Sequence, residues 1–269
     1  MNGLILDAGF GTRLRKHLHD YVGPESDFVN ESIEGKPKGL VPVKLQDSER
    51  KPIASHQVGQ LLEAGVKLSH IYVQTNDLFY RDYLSWAENV GIPAQNVFNK
   101  GVSSNEQRNE QAFDMLAAIS KIGTEAPLFL FASDTLVFDR QDRIYDLGLI
   151  VDALRKTGNS HLVVYYKAEE AYKHGIVFVG DGPEDEYPLV TNFIENPPGV
   201  DSGFVNSSVY LFSVEKIEEI LSHSEHWSKG KKGNPLELTW QGFRAVQAAR
   251  RLDMGTLEDF LKENGVIPK

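Results

Sequence analysis

Short apolar runs alternate with longer amphipathic stretches through the first half of the chain, and this alternation limits the available folds more than any single motif. "GLILDA" reads as a buried first strand, "HIYVQT" as the next, and "PLFLFASD" as a strongly apolar strand with a carboxylate at its carboxyl end. Between them, "IASHQVGQLLEAGV" and "FYRDYLSWAENVG" have helical spacing, the latter ending at Gly91. "SSNEQRNEQAFDMLAAISKIG" opens with Ser103 and Glu106 spaced as a capping box and stops at Gly123. Such alternation usually yields an α/β fold, a mostly parallel sheet flanked by helices, with ligands at the carboxyl ends of the strands.

The second half differs. "HLVVYYKA", "GIVFVG", "LVTNFIE" and "NSSVYLF" are strand-like runs broken by Gly, Pro and Asp. Three further segments, "VEKIEEILSH", "PLELTWQGFRAVQAARR" and "TLEDFLKENG", are expected to be helical. The sheet should therefore be mixed, with a smaller lobe of antiparallel strands and helices. "HLHDYVGPESDFVNESIEGKPK" is polar and reads as a long irregular loop, and "HWSKGKKGNP" as a second one. No repeat or Ser/Gly linker separates the halves, so residues 1–269 are expected to form one domain.

At 269 residues and 41% hydrophobic content, the chain can bury a sizeable core. It holds no apolar run of the roughly 18 residues that span a bilayer, and its start lacks a signal-type pattern, so a cytoplasmic protein without a membrane partner is expected. The absence of cysteine excludes disulfides, thiolate chemistry and thiolate-held zinc. A formal net charge of -10 opposes nucleic-acid binding, so any polyanion must meet a local concentration of cations.

"LILDAGFGTRLRK" supplies one. It is not the dinucleotide fingerprint, which needs a third glycine where Leu14 stands, and it lacks the Gly-Lys-Ser/Thr of a Walker A loop. What remains is a strand running into Ala8-Gly9-Phe10-Gly11-Thr12-Arg13. There, glycines let backbone N–H groups approach an anion, while Thr12 and the planar fork of Arg13 add donors. A plain tight turn flanked by solvated Arg15 and Lys16 accounts for the same residues, and on this stretch alone both readings stay open.

Later residues make the pattern specific. The chain resembles the sugar-1-phosphate nucleotidyltransferase (nucleotide-sugar pyrophosphorylase) family, in which a Gly-x-Gly-Thr-Arg loop after the first strand is followed by a Pro-Lys pair, here Pro37-Lys38. The likeness continues in order through "KPIASHQVGQLLEAGV", "LFLFASDTLVFD", "KHGIVFV", "FIENP" and "VNSSVYLF" to "LDMGTLEDF", and so spans nearly the whole chain. It implies a Rossmann-like fold with a nucleotide-binding half at about 1–135 and an acceptor-binding half at about 136–269. The implied activity is metal-dependent transfer from a nucleoside triphosphate to a sugar 1-phosphate, giving a nucleotide sugar and pyrophosphate. Phosphocholine or another phosphate monoester is an alternative acceptor, and a noncatalytic nucleotide-sugar-binding regulator is an alternative role. A homo-oligomer is compatible with either.

Under that resemblance, Arg13 and Lys38 neutralise and orient the triphosphate, with Ala8, Gly9, Gly11, Thr12 and Gln107 also at the nucleotide. Asp134 and Asp253 become ligands for Mg2+, although Asp134 also suits a turn cap and Asp253 an Asp-x-Gly turn before a Thr256 helix cap. Gly175, Glu195 and Asn206 surround the sugar, although each also suits an ordinary place: a strand start, a strand end and a polar turn.

Several residues depart from the family pattern. Asn196 stands where a lysine usually holds the sugar phosphate, and Lys167 and Lys173 are candidate replacements. Asp7 ends the first strand in place of a small residue, where it either reads the base or accepts from loop N–H groups. Gln107, Arg108 and Asn109 replace a Gly-Thr-Ala-type turn, Ser207-Ser208 occupy a usual glycine position, and the loop from Arg13 to Lys38 is long enough to act as a lid. His17, His19, His223 and His226 lack an accompanying carboxylate cluster and read as solvated. Trp227 and Trp240 read as packing residues, and Lys229 to Lys232 as a solvated loop.

Overall fold

β1 (Asn2–Leu6) is buried along its whole length and runs into a turn that a single helical turn, α1 (Thr12–Arg15), closes. The structure is a computed structural model, and it describes the chain except for residues 8, 17, 19, 46–48, 105–110, 181–185, 223–238 and 269. The polar stretch after α1 contains α2 (Ser26–Ile33), against the sequence expectation of an irregular loop. Val29 and Ile33, spaced four apart on one helix face, are fully buried and supply the packing that fixes it. β2 (Pro42–Val43) and β3 (Lys51–Pro52) pair in antiparallel. α3 (Ile53–Glu63), β4 (Ile71–Thr75), α4 (Tyr80–Val90), β5 (Val97–Asn99), α5 (Gln111–Ile122) and β6 (Leu128–Ala132) complete the alternating half. Gly91 ends α4 in the left-handed conformation, as expected from the sequence.

The parallel part of the sheet runs β5-β4-β1-β6. From β1 the chain builds outward to β4 and β5 on one side, then returns to place β6 on the other. A crevice therefore opens at the carboxyl ends of β1 and β6, where the strand order reverses. Alternation along these strands makes three layers. Ile5, Phe129 and Phe131 face α3, α4 and α6 (Gly148–Thr157), whereas Leu4, Leu6, Leu128 and Leu130 face α5 and α7 (Val214–Ser222).

The remaining strands are β7 (Thr135–Phe138), β8 (His161–Lys167), β9 (Gly175–Val179), β10 (Val190–Glu195), β11 (Gly203–Phe212), β12 (Arg244–Ala248) and β13 (Arg250–Asp253). β11 is antiparallel to β6 and β8, with its register broken between Asn206 and Tyr210, and β9 and β10 extend the sheet past it. Among the described residues, the result is one mixed sheet of nine strands. "RAVQAARR" is not helical: β12 pairs in parallel with β8, and β13 in antiparallel with β7. Ala245, Val246, Ala248 and Leu252 are all buried by that pairing, which overrides the helix propensity of an alanine-rich segment.

A third apolar cluster joins α1, α2, the β7–β13 ribbon and the C-terminal helix (Leu257–Glu263) through Leu14, Val29, Leu136, Leu252, Met254 and Phe260. It holds the turn after β1 against the strand that carries Asp253. Thr256 caps the C-terminal helix as expected, in a reciprocal capping box with Asp259. Among the described residues, no helix is long and apolar enough to cross a membrane.

Candidate functional site

At the end of β1, Gly11 adopts φ 64, a left-handed conformation that glycine adopts without strain, and the chain enters α1 with Leu14 as its buried anchor. Thr12 and Arg13 on the outer side of that turn are exposed and face a cavity. Arg15 is not a solvated charge: its Nη2 donates to the carbonyl of Lys36 at 2.8 Å, and its guanidinium lies 5.3 Å from the centre of the Phe79 ring. This cross-link fixes the far end of the loop just before Pro37-Lys38.

Asp7 is buried where β1 stops. The Tyr83 hydroxyl donates to its Oδ2 at 2.5 Å, and the Gly39 N–H approaches the same oxygen at 3.4 Å. Of the two sequence readings, the geometry matches the one in which Asp7 accepts from a loop N–H, with Tyr83 as its principal donor. Burial pushes the Asp7 carboxyl above its ordinary range, despite those donors. Gly39 has no room for a side chain, because a Cβ there would fall on the Tyr83 hydroxyl and within 2.9 Å of the Ser133 Cβ. The turn carrying Lys38 is thereby seated against the ends of β1 and β6.

Lys38 Nζ donates to Asp134 Oδ2 at 2.7 Å, so the long loop does deliver this lysine to the cavity. Asp134 follows β6, and the β7–β13 ladder sets Asp253 opposite Thr135, the next residue. The Met254 N–H donates to the Asp134 carbonyl at 3.0 Å, which locks the two backbones together. Burial favours neutral Asp134, but Lys38 and then Arg251 outweigh it and hold the carboxyl below its ordinary value. Burial, with Asp134 nearby, pushes Asp253 up despite Arg251. Lys38 is held above its usual value because Asp134 outweighs the desolvation that opposes its charge. Arg251 Nη2 donates to Asp253 Oδ2 at 2.8 Å, and its Nη1 to the Asn206 carbonyl at 3.3 Å.

The third side of the cavity comes from β9, β10 and β11. Gly175 and Glu195 are register partners, and a Cβ on Gly175 would lie 2.5 Å from Phe193 Cζ and 2.7 Å from Glu195 Oε2. The glycine thus makes room for the glutamate and the ring beside it. Asn206 does not sit in a polar turn, as its surroundings in the sequence suggested. It is a buried residue within β11, at the register break, donating to the Tyr210 hydroxyl at 2.6 Å and accepting from the Ser208 N–H at 3.0 Å. Ser208 holds φ 62, a left-handed value that explains why glycine suits this position. His174 Nε2 lies 3.0 Å from Lys167 Nζ, and burial, followed by the Lys167 and Arg251 charges, pushes the imidazole down to about 4. Lys173 pairs with Glu170 at 2.6 Å.

These three walls enclose a cavity of about 390 Å³. Gly9, Gly11, Thr12, Arg13, Lys38, Asp134, Gly175, Glu195, Asn206 and Asp253, each singled out in the sequence, all line it. Ala8 and Gln107 lie outside the described residues, as do Glu106 of the proposed capping box, Arg108, Asn109, the four loop histidines, Trp227 and the Lys229 to Lys232 loop. Sequence reasoning missed Ser133, His174 and Arg251, which also line the cavity. Arg251 carried no local signal, since its segment read as a helix, and only the β13 pairing turns it toward Asp253.

The family model for nucleotidyl transferase matches residues 35–268, a span that begins after the turn at Gly9 to Arg13. The chain is 26% identical to mannose-1-phosphate guanyltransferase beta-B of Xenopus laevis over 273 residues, covering 97% of this chain and 63% of that protein. It is 25% identical to mannose-1-phosphate guanylyltransferase catalytic subunit beta of Danio rerio over 277 residues, with the same coverage of 97% and 63%. It therefore spans less than two thirds of the length of these relatives. Among solved structures, a UDP-glucose pyrophosphorylase complexed with UDP-glucose superposes with a TM-score of 0.66 at 20% identity, covering 98% of this chain and 97% of that one. A UTP-bound UGPase of Acinetobacter baumannii does so with a TM-score of 0.63 at 18% identity, covering 100% and 94%. At this identity the superpositions show the shared fold.

Proposed function

The chain belongs to the nucleotidyl transferase family, and from that premise we propose that it joins a nucleoside triphosphate to a sugar 1-phosphate, releasing pyrophosphate. One observation carries the reading: the Gly9–Arg13 turn, the Asp134/Asp253 pair and the Gly175–Glu195–Asn206 wall border a single cavity, so a triphosphate and a phosphorylated sugar can meet there. The mannose-1-phosphate guanyltransferase relatives favour GTP and mannose 1-phosphate as the first pair to test.

In this reading, an oxygen of the acceptor phosphate attacks the α-phosphorus. A new P–O bond forms, and the bond from that phosphorus to the oxygen bridging the β-phosphate breaks, with its electron pair leaving on pyrophosphate. The attacking phosphate is already ionised near neutral pH, so no general base is needed. Arg13 and Lys38 would neutralise charge on the triphosphate and the leaving group, and the N–H groups of the turn would add fixed donors. Glu195 would accept from sugar hydroxyls.

Asp134 and Asp253 fit a magnesium ion by donor chemistry: both are hard oxygen ligands on one wall, and each now faces a cation, Lys38 or Arg251. When bound, magnesium supplies charge neutralisation to the phosphates.

The test is a matrix of nucleoside triphosphates against mannose 1-phosphate, glucose 1-phosphate and phosphocholine with magnesium, read as pyrophosphate release. Turnover of one sugar 1-phosphate pair supports the proposal. Tight binding of a nucleotide sugar with no turnover of any pair would replace it with a regulatory binding role, and turnover of phosphocholine alone would move the acceptor class.

A further inference from the structure

Among the described residues, the cations lining the cavity fall into two groups. Arg13 and Lys38 come from the front loop, whereas Arg251 comes from β13 and Lys173 from the turn that leads into β9. In the second group, Arg251 donates to the carbonyl of Asn206 and Lys173 stands two residues before Gly175. We propose that Arg251, with Lys173, holds the phosphate of the acceptor; this rests on the transfer reading above and adds to it the residue that recognises the phosphorylated end of the sugar.

Three observations carry the assignment. The first is position. Arg251 reaches Asn206 on the acceptor wall with one terminal nitrogen and Asp253 with the other, so it stands at the junction between the acceptor wall and the aspartate pair. The acceptor phosphate must occupy that junction to reach the α-phosphorus. The second is charge. A phosphate monoester approaching Glu195, Asp134 and Asp253 meets three carboxylates, and a guanidinium offers paired N–H donors matched to phosphate oxygens. Its 3.3 Å contact with a neutral carbonyl is easily exchanged for an anionic oxygen.

The third observation is elimination among the neighbours. Asn196, directly after Glu195, brings an uncharged amide on a left-handed backbone at φ 48, so β10 supplies no cation there. Lys167 is turned to His174, and that imidazole, pushed down to about 4, is neutral near pH 7. Lys173 lines the cavity, and its partner Glu170 is an exposed surface carboxylate.

The test uses the intact chain, with GTP and mannose 1-phosphate as one pair and UTP and glucose 1-phosphate as another. Arg251→Gln should raise the acceptor KM by about tenfold to a hundredfold while leaving the triphosphate KM within about twofold. Arg251→Lys should restore part of the loss, and Lys173→Gln should raise the acceptor KM by about threefold. A rise in triphosphate KM with acceptor KM unchanged, or a fall in kcat alone, would overturn the assignment and leave the transfer reading intact. If Arg251→Gln does not fold by circular dichroism, the lysine variant and Lys173→Gln decide.

If no pair turns over in the wild type, the transfer reading fails, and thermal shifts with mannose 1-phosphate against free mannose decide the assignment separately. Stabilisation that requires the phosphate and is absent in Arg251→Gln upholds it. Equal stabilisation of both chains, or none in the wild type, ends it.

Discussion

The Met254 N–H donates to the carbonyl of Asp134 at 3.0 Å, and this single backbone bond brings together two acidic residues more than a hundred positions apart. Asp253 then falls opposite Thr135 in the β7–β13 ladder, and both carboxylates face the cavity. Either Asp134→Asn or Asp253→Asn should lower kcat/KM for nucleotidyl transfer by at least about a hundredfold, with circular dichroism unchanged. An Asp253→Asn enzyme retaining near wild-type turnover at limiting magnesium would remove Asp253 from the proposed pair.

Asp7 sits in a buried site that favours its protonated form, with Tyr83 and Gly39 as partners. Its folded-state pKa lies above the unfolded value of 3.8, so between those two values the folded chain holds a proton that the unfolded chain has released. This contribution to stability is present at low pH and is lost as pH rises through the folded-state pKa. Asp7→Asn should therefore gain stability relative to wild type as pH rises above 3.8 and through the raised folded-state value, read as the difference in urea midpoints. Midpoint curves that stay parallel across that range would show that Asp7 pays no such ionisation penalty.

Gly175→Ala tests the acceptor wall. The added methyl meets the Phe193 ring and the Glu195 carboxylate at distances that force one of them to move. The expected cost is about 1–3 kcal/mol in stability, with a raised acceptor KM as Glu195 is displaced. Thermal melts and acceptor titrations check both, and a variant matching wild type in each would mean the wall is looser than the close packing implies.

Lys100 and Asp114 form an ion pair at 3.0 Å, with side chains only 4% and 1% exposed, joining the end of β5 to α5. Removing the carboxylate alone, as in Asp114→Ala, breaks this buried ion pair and should cost about 3–5 kcal/mol. Replacing both, as in Lys100→Met with Asp114→Leu, should recover most of that loss. A denaturant-midpoint cycle over the four chains measures it, and additive losses would mean that the two charges are not coupled.

Local sequence determined what depends on neighbours along the chain. The periodicity of the first half specified buried strands and amphipathic helices, Gly11 permits the left-handed turn after β1, and Gly91 and Thr256 mark helix ends, because each effect acts within a few residues. The order of motifs also brought Gly9, Lys38, Asp134, Glu195 and Asp253 of the cavity lining into view. Tertiary structure decided what depends on pairing partners remote in sequence. β13 is a strand because β7 accepts it, α2 is a helix because Val29 and Ile33 have a cluster to fill, and Arg251 faces Asp253 because of that same ladder. Asp7 was ambiguous in sequence because its role rests on Tyr83, 76 positions away. Hydrogen-bond register and burial are properties of the assembled sheet, and only there do these charges acquire their partners.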